Sequence, residues 1–196
     1  MKKGSLLTIV VVAVLALFGF MGCNGYNGLV KQDEVVKNAW NNVQAEYQNR
    51  ADLVPNLVNT VKGAANFEQE TLTKVIEARA KATSIQLKAE DLTPENLAKF
   101  QQAQSELSGA LSRLLVTVEK YPDLKAVQGF QDLQRQLEGI ENNIKNSRKV
   151  FNEAVNTYNV KVRSFPMNLL AGMFGFSAKE GFQAEPGSDK APEVKF

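Results

Sequence analysis

The sequence has no histidine, and its 196 residues include a single cysteine and a single tryptophan. Each absence removes a class of chemistry. Without imidazole there is no Ser-His-Asp or Cys-His nucleophile, and no histidine-ligated zinc, haem or non-haem iron. One cysteine, Cys23, closes neither an internal disulfide nor a thiolate zinc cage. Glycine and proline are also scarce through the body: residues 29–165 contain only Gly63, Gly109, Gly129 and Gly139, with Pro55, Pro94 and Pro122. No phosphate-binding or dinucleotide-binding glycine pattern can be written from these. No cofactor, metal or small-molecule substrate is expected, and the chain is not expected to be an enzyme.

What is present begins at the amino terminus. Lys2 and Lys3 precede a stretch without charge until Lys31, and residues 5–23 are almost wholly apolar. A helix of about 20 apolar residues spans a bilayer core. Positive charge stays on the cytoplasmic side, so the amino terminus is expected inside and the remainder on the extracytoplasmic face. Three readings of residues 1–25 remain: an uncleaved transmembrane anchor, a lipoprotein signal that lipidates Cys23, or an ordinary cleaved signal. With Lys2 and Lys3 set aside, 21 basic residues meet 21 acidic ones, and the net charge of +2 falls to zero. A neutral body offers no cationic face for phosphates, so nucleic acid is not an expected partner.

The body, residues 26–165, reads as helical throughout. Good helix formers dominate it, and no segment alternates as a half-buried strand does. Four helices are expected. The first, over about 27–62, carries Val36, Trp40, Val43, Tyr47, Val54, Leu57 and Val61 on one stripe, and continues from the anchor unless the 24–28 region interrupts it. The second, over 67–87, is alanine-rich, with Leu72, Val75, Ile76 and Ile85 inward. Thr93-Pro94-Glu95 starts the third, with a capping hydroxyl, a proline at the first helical position and an acid in the first turn. Its seam (Leu97, Phe100, Gln104, Leu107, Leu111, Leu114, Val118) steps by threes and fours. The fourth, over about 124–162, repeats that spacing from Phe130 through Leu137, Ile144 and Phe151 to Tyr158. Such near-heptad stripes pack at shallow angles. The expected fold is all-α: a single N-terminal transmembrane helix, then an elongated antiparallel helical bundle of about four long helices.

Two features depart from a plain bundle. Arg50 falls on the seam of the first helix between Tyr47 and Val54, where a buried charge needs a partner. Glu141, beside the seam of the fourth helix, is the candidate for this interhelical contact; the alternative is that Arg50 reaches solvent along its aliphatic stem. Pro55 lacks the N–H that would bond the Ala51 carbonyl, so a kink is expected there. The acidic pairs Glu68/Glu70 and Asp132/Glu138 read as a solvated face. Residues 166–183 are apolar, with Phe174, Phe176 and Phe182, and are expected to cap the bundle, over lying on the membrane or docking a partner. Residues 184–196 read as a flexible tail.

Tyr26-Asn27-Gly28-Leu29-Val30, Ala39-Trp40 and the string RADLVPNLV from Arg50 to Val58 resemble the LemA family. So do Tyr121-Pro122-Asp123-Leu124-Lys125, Phe130, Leu137-Glu138, Glu141, Arg148, Tyr158-Asn159, Phe165-Pro166 and Gly175-Phe176. The resemblance implies a bacterial membrane protein with one N-terminal transmembrane segment, an antiparallel helical bundle, and no established activity or cofactor. Phe67 stands where many relatives carry histidine, which removes any metal site built on that residue. Two functions are expected from this. One is a membrane-anchored adaptor or scaffold whose partners are the lipid bilayer and envelope proteins of the inner membrane. The other is a regulator that signals to a membrane protease or transporter through the kink at Pro55.

Overall fold

The computed structural model describes residues 3–63 and 67–183, and of residues 3–10 and 14–21 the backbone alone. All regular structure among them is helical. The first helix, α1, runs unbroken over Lys3–Lys62, and α2 follows over Gln69–Ser84. A 3₁₀ turn at Ala89–Asp91 leads to α3 over Pro94–Val118. Next come α4 over Pro122–Lys125, α5 over Gln128–Arg163 and α6 over Met167–Leu170, with a last 3₁₀ turn at Gly172–Phe174. The chain divides into two compact units, residues 1–49 with 140–179 and residues 50–139 with 180–196. Both α1 and α5 contribute to each.

The first helix continues through the 24–28 region, the first of the two outcomes left open for it. A β-carbon at Gly25 would collide with the side chain of Met167, and one at Gly28 with the ammonium of Lys161. Glycine here lets other side chains lie against the helix surface, and the helix hydrogen bonds continue through it. Among the described residues no helix is long and apolar enough to cross a membrane. Of the apolar run expected to do so, residues 5–10 and 14–21 lack described side chains, while Val11 and Val12 are exposed. The tail expected over 184–196 lies outside the described residues.

In the first unit α1 and α5 run antiparallel, Gly28 lying against Lys161 and Trp40 against Phe151. Val36, Trp40, Val43 and Tyr47 are buried there with Ile144, Phe151, Val155 and Tyr158. The Trp40 and Phe151 rings meet with centroids 5.4 Å apart at 56°, a tilted geometry suited to aromatic quadrupoles.

In the second unit α2 and α3 are antiparallel, with Lys81 Nζ 2.6 Å from Glu106 and Lys120 Nζ 3.6 Å from Glu68. Every residue of the expected α3 seam is buried, Gln104 included. Its start is as read: Thr93 Oγ1 accepts from the Asn96 N–H at 3.2 Å, with Pro94 at the first position. Such a cap contributes about 1 kcal/mol. Ile76 is a correction, because it is exposed. Val75 faces the core, and the next residue is turned about 100° away on a helix of 3.6 residues per turn. Ala82 is buried on that face.

The expected fourth helix is two. The Val127 N–H bonds back to Leu124 O at 3.1 Å, which tightens the turn and closes α4 after one turn. The Lys125 carbonyl freed by that break accepts from Gln131 Nε2 at 3.2 Å.

Candidate functional site

A buried polar network lies in the second unit, at the positions where the sequence breaks its own apolar stripes. Arg50 is 2% exposed. Its Nη2 donates to Gln104 Oε1 at 2.7 Å and to the Gln104 carbonyl at 3.0 Å, and its Nη1 donates to Ser108 Oγ at 3.3 Å. Gln104 Nε2 in turn donates to the Ala82 carbonyl at 3.3 Å. One guanidinium thus ties α1 to α3, and the glutamine that receives it ties α3 to α2. Hydrogen bonds to a charged group contribute more than neutral ones, about 1.5–3 kcal/mol each.

Pro55 belongs to the same network. It lies inside α1, which stays helical on both sides, and it cannot donate to Ala51. The Ala51 carbonyl accepts instead from Arg79 Nε at 2.7 Å, so a side chain of α2 replaces the missing backbone donor. Neither Arg79 nor Gln104 is singled out by sequence reasoning as a site residue, although Gln104 carries a signal: it is the one polar member of the α3 seam. Glu141 is half-buried on α5, in the first unit. Cys23 is an exposed free thiol on α1.

A second cluster, in the first unit, fastens the C-terminal segment. Asn159 Nδ2 donates to the Lys179 carbonyl at 2.8 Å, and the Lys179 N–H donates back to Asn159 Oδ1 at 2.8 Å. The carboxamide thereby pairs with the backbone as a strand neighbour would. The Lys179 ammonium lies 3.1 Å from Asp33 Oδ1 and 5.3 Å from the centroid of the buried Tyr158 ring. Lys37 Nζ meets the other carboxylate oxygen of Asp33 at 3.1 Å.

These contacts set the protonation of the cluster. Burial pushes the Asp33 carboxyl up, but hydrogen bonds from Lys179 and Lys37, and then their charges, outweigh it and hold the group below its ordinary 3.8. Tyr158 moves the other way: burial first, and the negative charge of Asp33 second, raise it from 10.0 to about 12. A depressed carboxyl stabilises the fold above its unfolded value and loses that contribution as pH falls through the folded one. A raised phenol stabilises it below its unfolded value and loses that contribution as pH rises through the folded one. Stability should therefore fall below pH 3.8 and again between pH 10.0 and about 12. Asp33→Asn should weaken the acid limb of a Tm-against-pH curve, the exposed Glu70, Glu95 and Glu106 keeping the remainder through their lysine partners. An acid limb of unchanged depth would contradict the role of Asp33.

Beyond α5 the chain makes an apolar tip. A cis peptide joins Phe165 to Pro166. Met167 and Ala171 are buried, whereas Phe165 and Met173 are 75% and 81% exposed and Leu169 and Phe174 are also exposed. Tyr26 meets Phe174 and Phe176 edge-on, with centroids at 5.3 and 5.7 Å. Gly175, at φ 79°, closes the 3₁₀ turn in the left-handed conformation that glycine adopts without strain. The Phe176 N–H then returns to the Ala171 carbonyl at 2.9 Å.

The surface between α2 and α3 holds a groove of about 570 Å³ floored by Ala78, Gly109 and Ala110 and rimmed by Lys74, Glu106 and Arg113. None of its lining side chains is buried. Among the described residues no group of three or more acidic or cysteine side chains is arranged to hold a metal ion.

Taken residue by residue, these features define an all-helical protein whose polar groups fasten helices and strap a segment. The chain belongs to the LemA family, whose model matches residues 39–196. It is similar to the magnetosome protein MamQ 2 of Paramagnetospirillum magneticum, with 26% identity over 95% of this chain and 76% of the relative. Magnetosome protein MamQ of Magnetospirillum gryphiswaldense is likewise 26% identical, over 96% of this chain and 76% of its own. Protein LemA of Metamycoplasma hominis is 24% identical over 82% of this chain and 69% of its own length.

Proposed function

We propose that the chain is a membrane-anchored, non-enzymatic helical protein of the bacterial envelope that acts as an adaptor or scaffold for other envelope proteins. One observation carries the reading: α1 is a single helix from Lys3 to Lys62, so the apolar run and the packed body share one rod without a hinge between them. Residues 5–23 act as the uncleaved anchor in the inner membrane, and the two lysines before them keep the body on the extracytoplasmic side. Cys23 is then an unmodified thiol; incorporation of labelled fatty acid that disappears in Cys23→Ala would overturn that point.

Crosslinking in intact cells followed by mass spectrometry tests the adaptor role. Reproducible adducts with envelope proteins are expected. Recovery of the monomer alone, under conditions that capture known envelope complexes, would count against it.

The second reading, a regulator of a membrane protease or transporter, is favoured by the substituted hydrogen bond at Pro55. The Ala51 carbonyl, held by Arg79 Nε in place of a backbone donor, is a place where helix geometry responds to a side chain. Replacing residues 24–28 with a flexible linker should abolish signalling by such a regulator and spare a pure adaptor. Retained activity in that variant decides for the adaptor.

A further inference from the structure

The exposed apolar tip concentrates the most exposed large apolar side chains among the described residues of the first unit. Phe165, Leu169, Met173 and Phe174 stand out from a short segment in which Met167 and Ala171 are buried and Leu170 is half-buried. Large contiguous exposed apolar groups mark interaction sites. The position of this one says what covers it. Met167 lies against Gly25, and Phe174 meets the Tyr26 ring at 5.3 Å. Both contacts fall on the turn of α1 that directly follows the apolar run 5–23.

Charge points the same way. Residues 22–32 and 154–179, which meet at these contacts, contain no aspartate or glutamate. These two stretches carry Lys31, Lys161, Arg163 and Lys179, and of these Lys179 is engaged with Asp33. An apolar edge with an aromatic at its margin and cations behind it is the composition of segments that settle into the boundary between headgroups and acyl chains. The cations match an anionic headgroup layer, and neither stretch holds an acidic residue that would repel it.

We propose that the tip formed by Phe165, Leu169, Met173 and Phe174 inserts into the interface of an anionic lipid bilayer beside α1. The tip is then a second membrane contact that fixes the orientation of the first unit on the surface. This rests on the anchor reading above, and the test separates the two.

The full chain, in a Cys23→Ser background, is reconstituted in vesicles of three parts zwitterionic to one part anionic phospholipid. Single fluorophores are placed through Met173→Cys, Val12→Cys and Val116→Cys; Val116, 67% exposed on α3 of the second unit, serves as the reference label. The quenchers are lipids spin-labelled near the headgroup or deep in the acyl chain. The tip label should be quenched at least two-fold more than the Val116 label by the shallow spin label, and the Val12 label most by the deep one.

Quenching at Val12 with none at Met173 beyond the Val116 level overturns the tip and leaves the anchor standing. Quenching at Met173 without Val12 supports the tip and overturns the anchor; no quenching at either overturns both. A blue shift at Met173 that ignores the spin label and fades on dilution identifies a second copy of the chain as the occupant, and overturns the proposal. Leu169→Glu/Met173→Glu with unchanged circular dichroism should abolish the shallow quenching. Quenching that survives this variant also overturns it.

Discussion

Gln104→Leu should cost about 3 kcal/mol and lower Tm by about 6–12 °C for a chain of this length. The substitution is nearly isosteric and apolar, and it lies on an apolar seam, so packing alone predicts a neutral or stabilising change. The structure predicts the opposite. It removes the 2.7 Å acceptor of a guanidinium that is 2% exposed, and the donor to Ala82 on α2. A buried charge that loses a hydrogen bond keeps its desolvation penalty. The double variant Arg50→Met/Gln104→Leu removes charge and acceptor together and should recover at least 1 kcal/mol of that loss. If Gln104→Leu melts at the wild-type temperature, the network does not hold α1 to α3.

Trp40→Ala should be the most damaging change in the first unit, at about 3–5 kcal/mol. Trp40 is fully buried and packs on Phe151, and deleting so large a ring leaves a cavity that helices of fixed spacing close only in part. Trp40→Phe keeps an aromatic against Phe151 and should lose roughly a third to a half as much. Trp40 is also the only tryptophan in the chain. Its emission in the wild type should start blue-shifted and move red when the first unit opens in denaturant. A wild-type emission already at the solvent-exposed wavelength would contradict the burial of Trp40, and a Trp40→Ala variant as stable as wild type would contradict its packing.

How much of this was legible in the sequence varied with the range of the interaction. The stripes on α1 and α3 follow from helical periodicity, and every seam position named on those helices is buried. The cap at Thr93 follows from three adjacent residues. The polar network was half visible. Arg50 and Gln104 each interrupt an apolar seam, and two such interruptions on different helices are candidates for each other, but periodicity along one helix does not give the register between two. Arg79 carries no signal of its own. It lies on the flank of α2 and matters because of a proline on another helix. The Asp33 cluster was not visible for the same reason, since Asn159, Lys179 and Asp33 are joined only by the return of the C-terminal segment.

The glycines near residue 25 left two outcomes open in the sequence. Their local propensity argues for a break, but close packing of Met167 and Lys161 gives them a use inside a helix. The early stop of α4 likewise has no punctuation in the sequence beyond Gly129, and depends on which carbonyls the following turn satisfies.

The central proposal is that the uninterrupted helix α1 joins the bilayer to the packed body. Amide hydrogen exchange on the full chain in lipid vesicles, resolved over residues 6–30, measures it directly. The predicted result is slow exchange through residues 24–28, continuous with slow exchange on both sides. Rapid exchange confined to 24–28 would mean that a flexible joint separates anchor from body, and would contradict the claim.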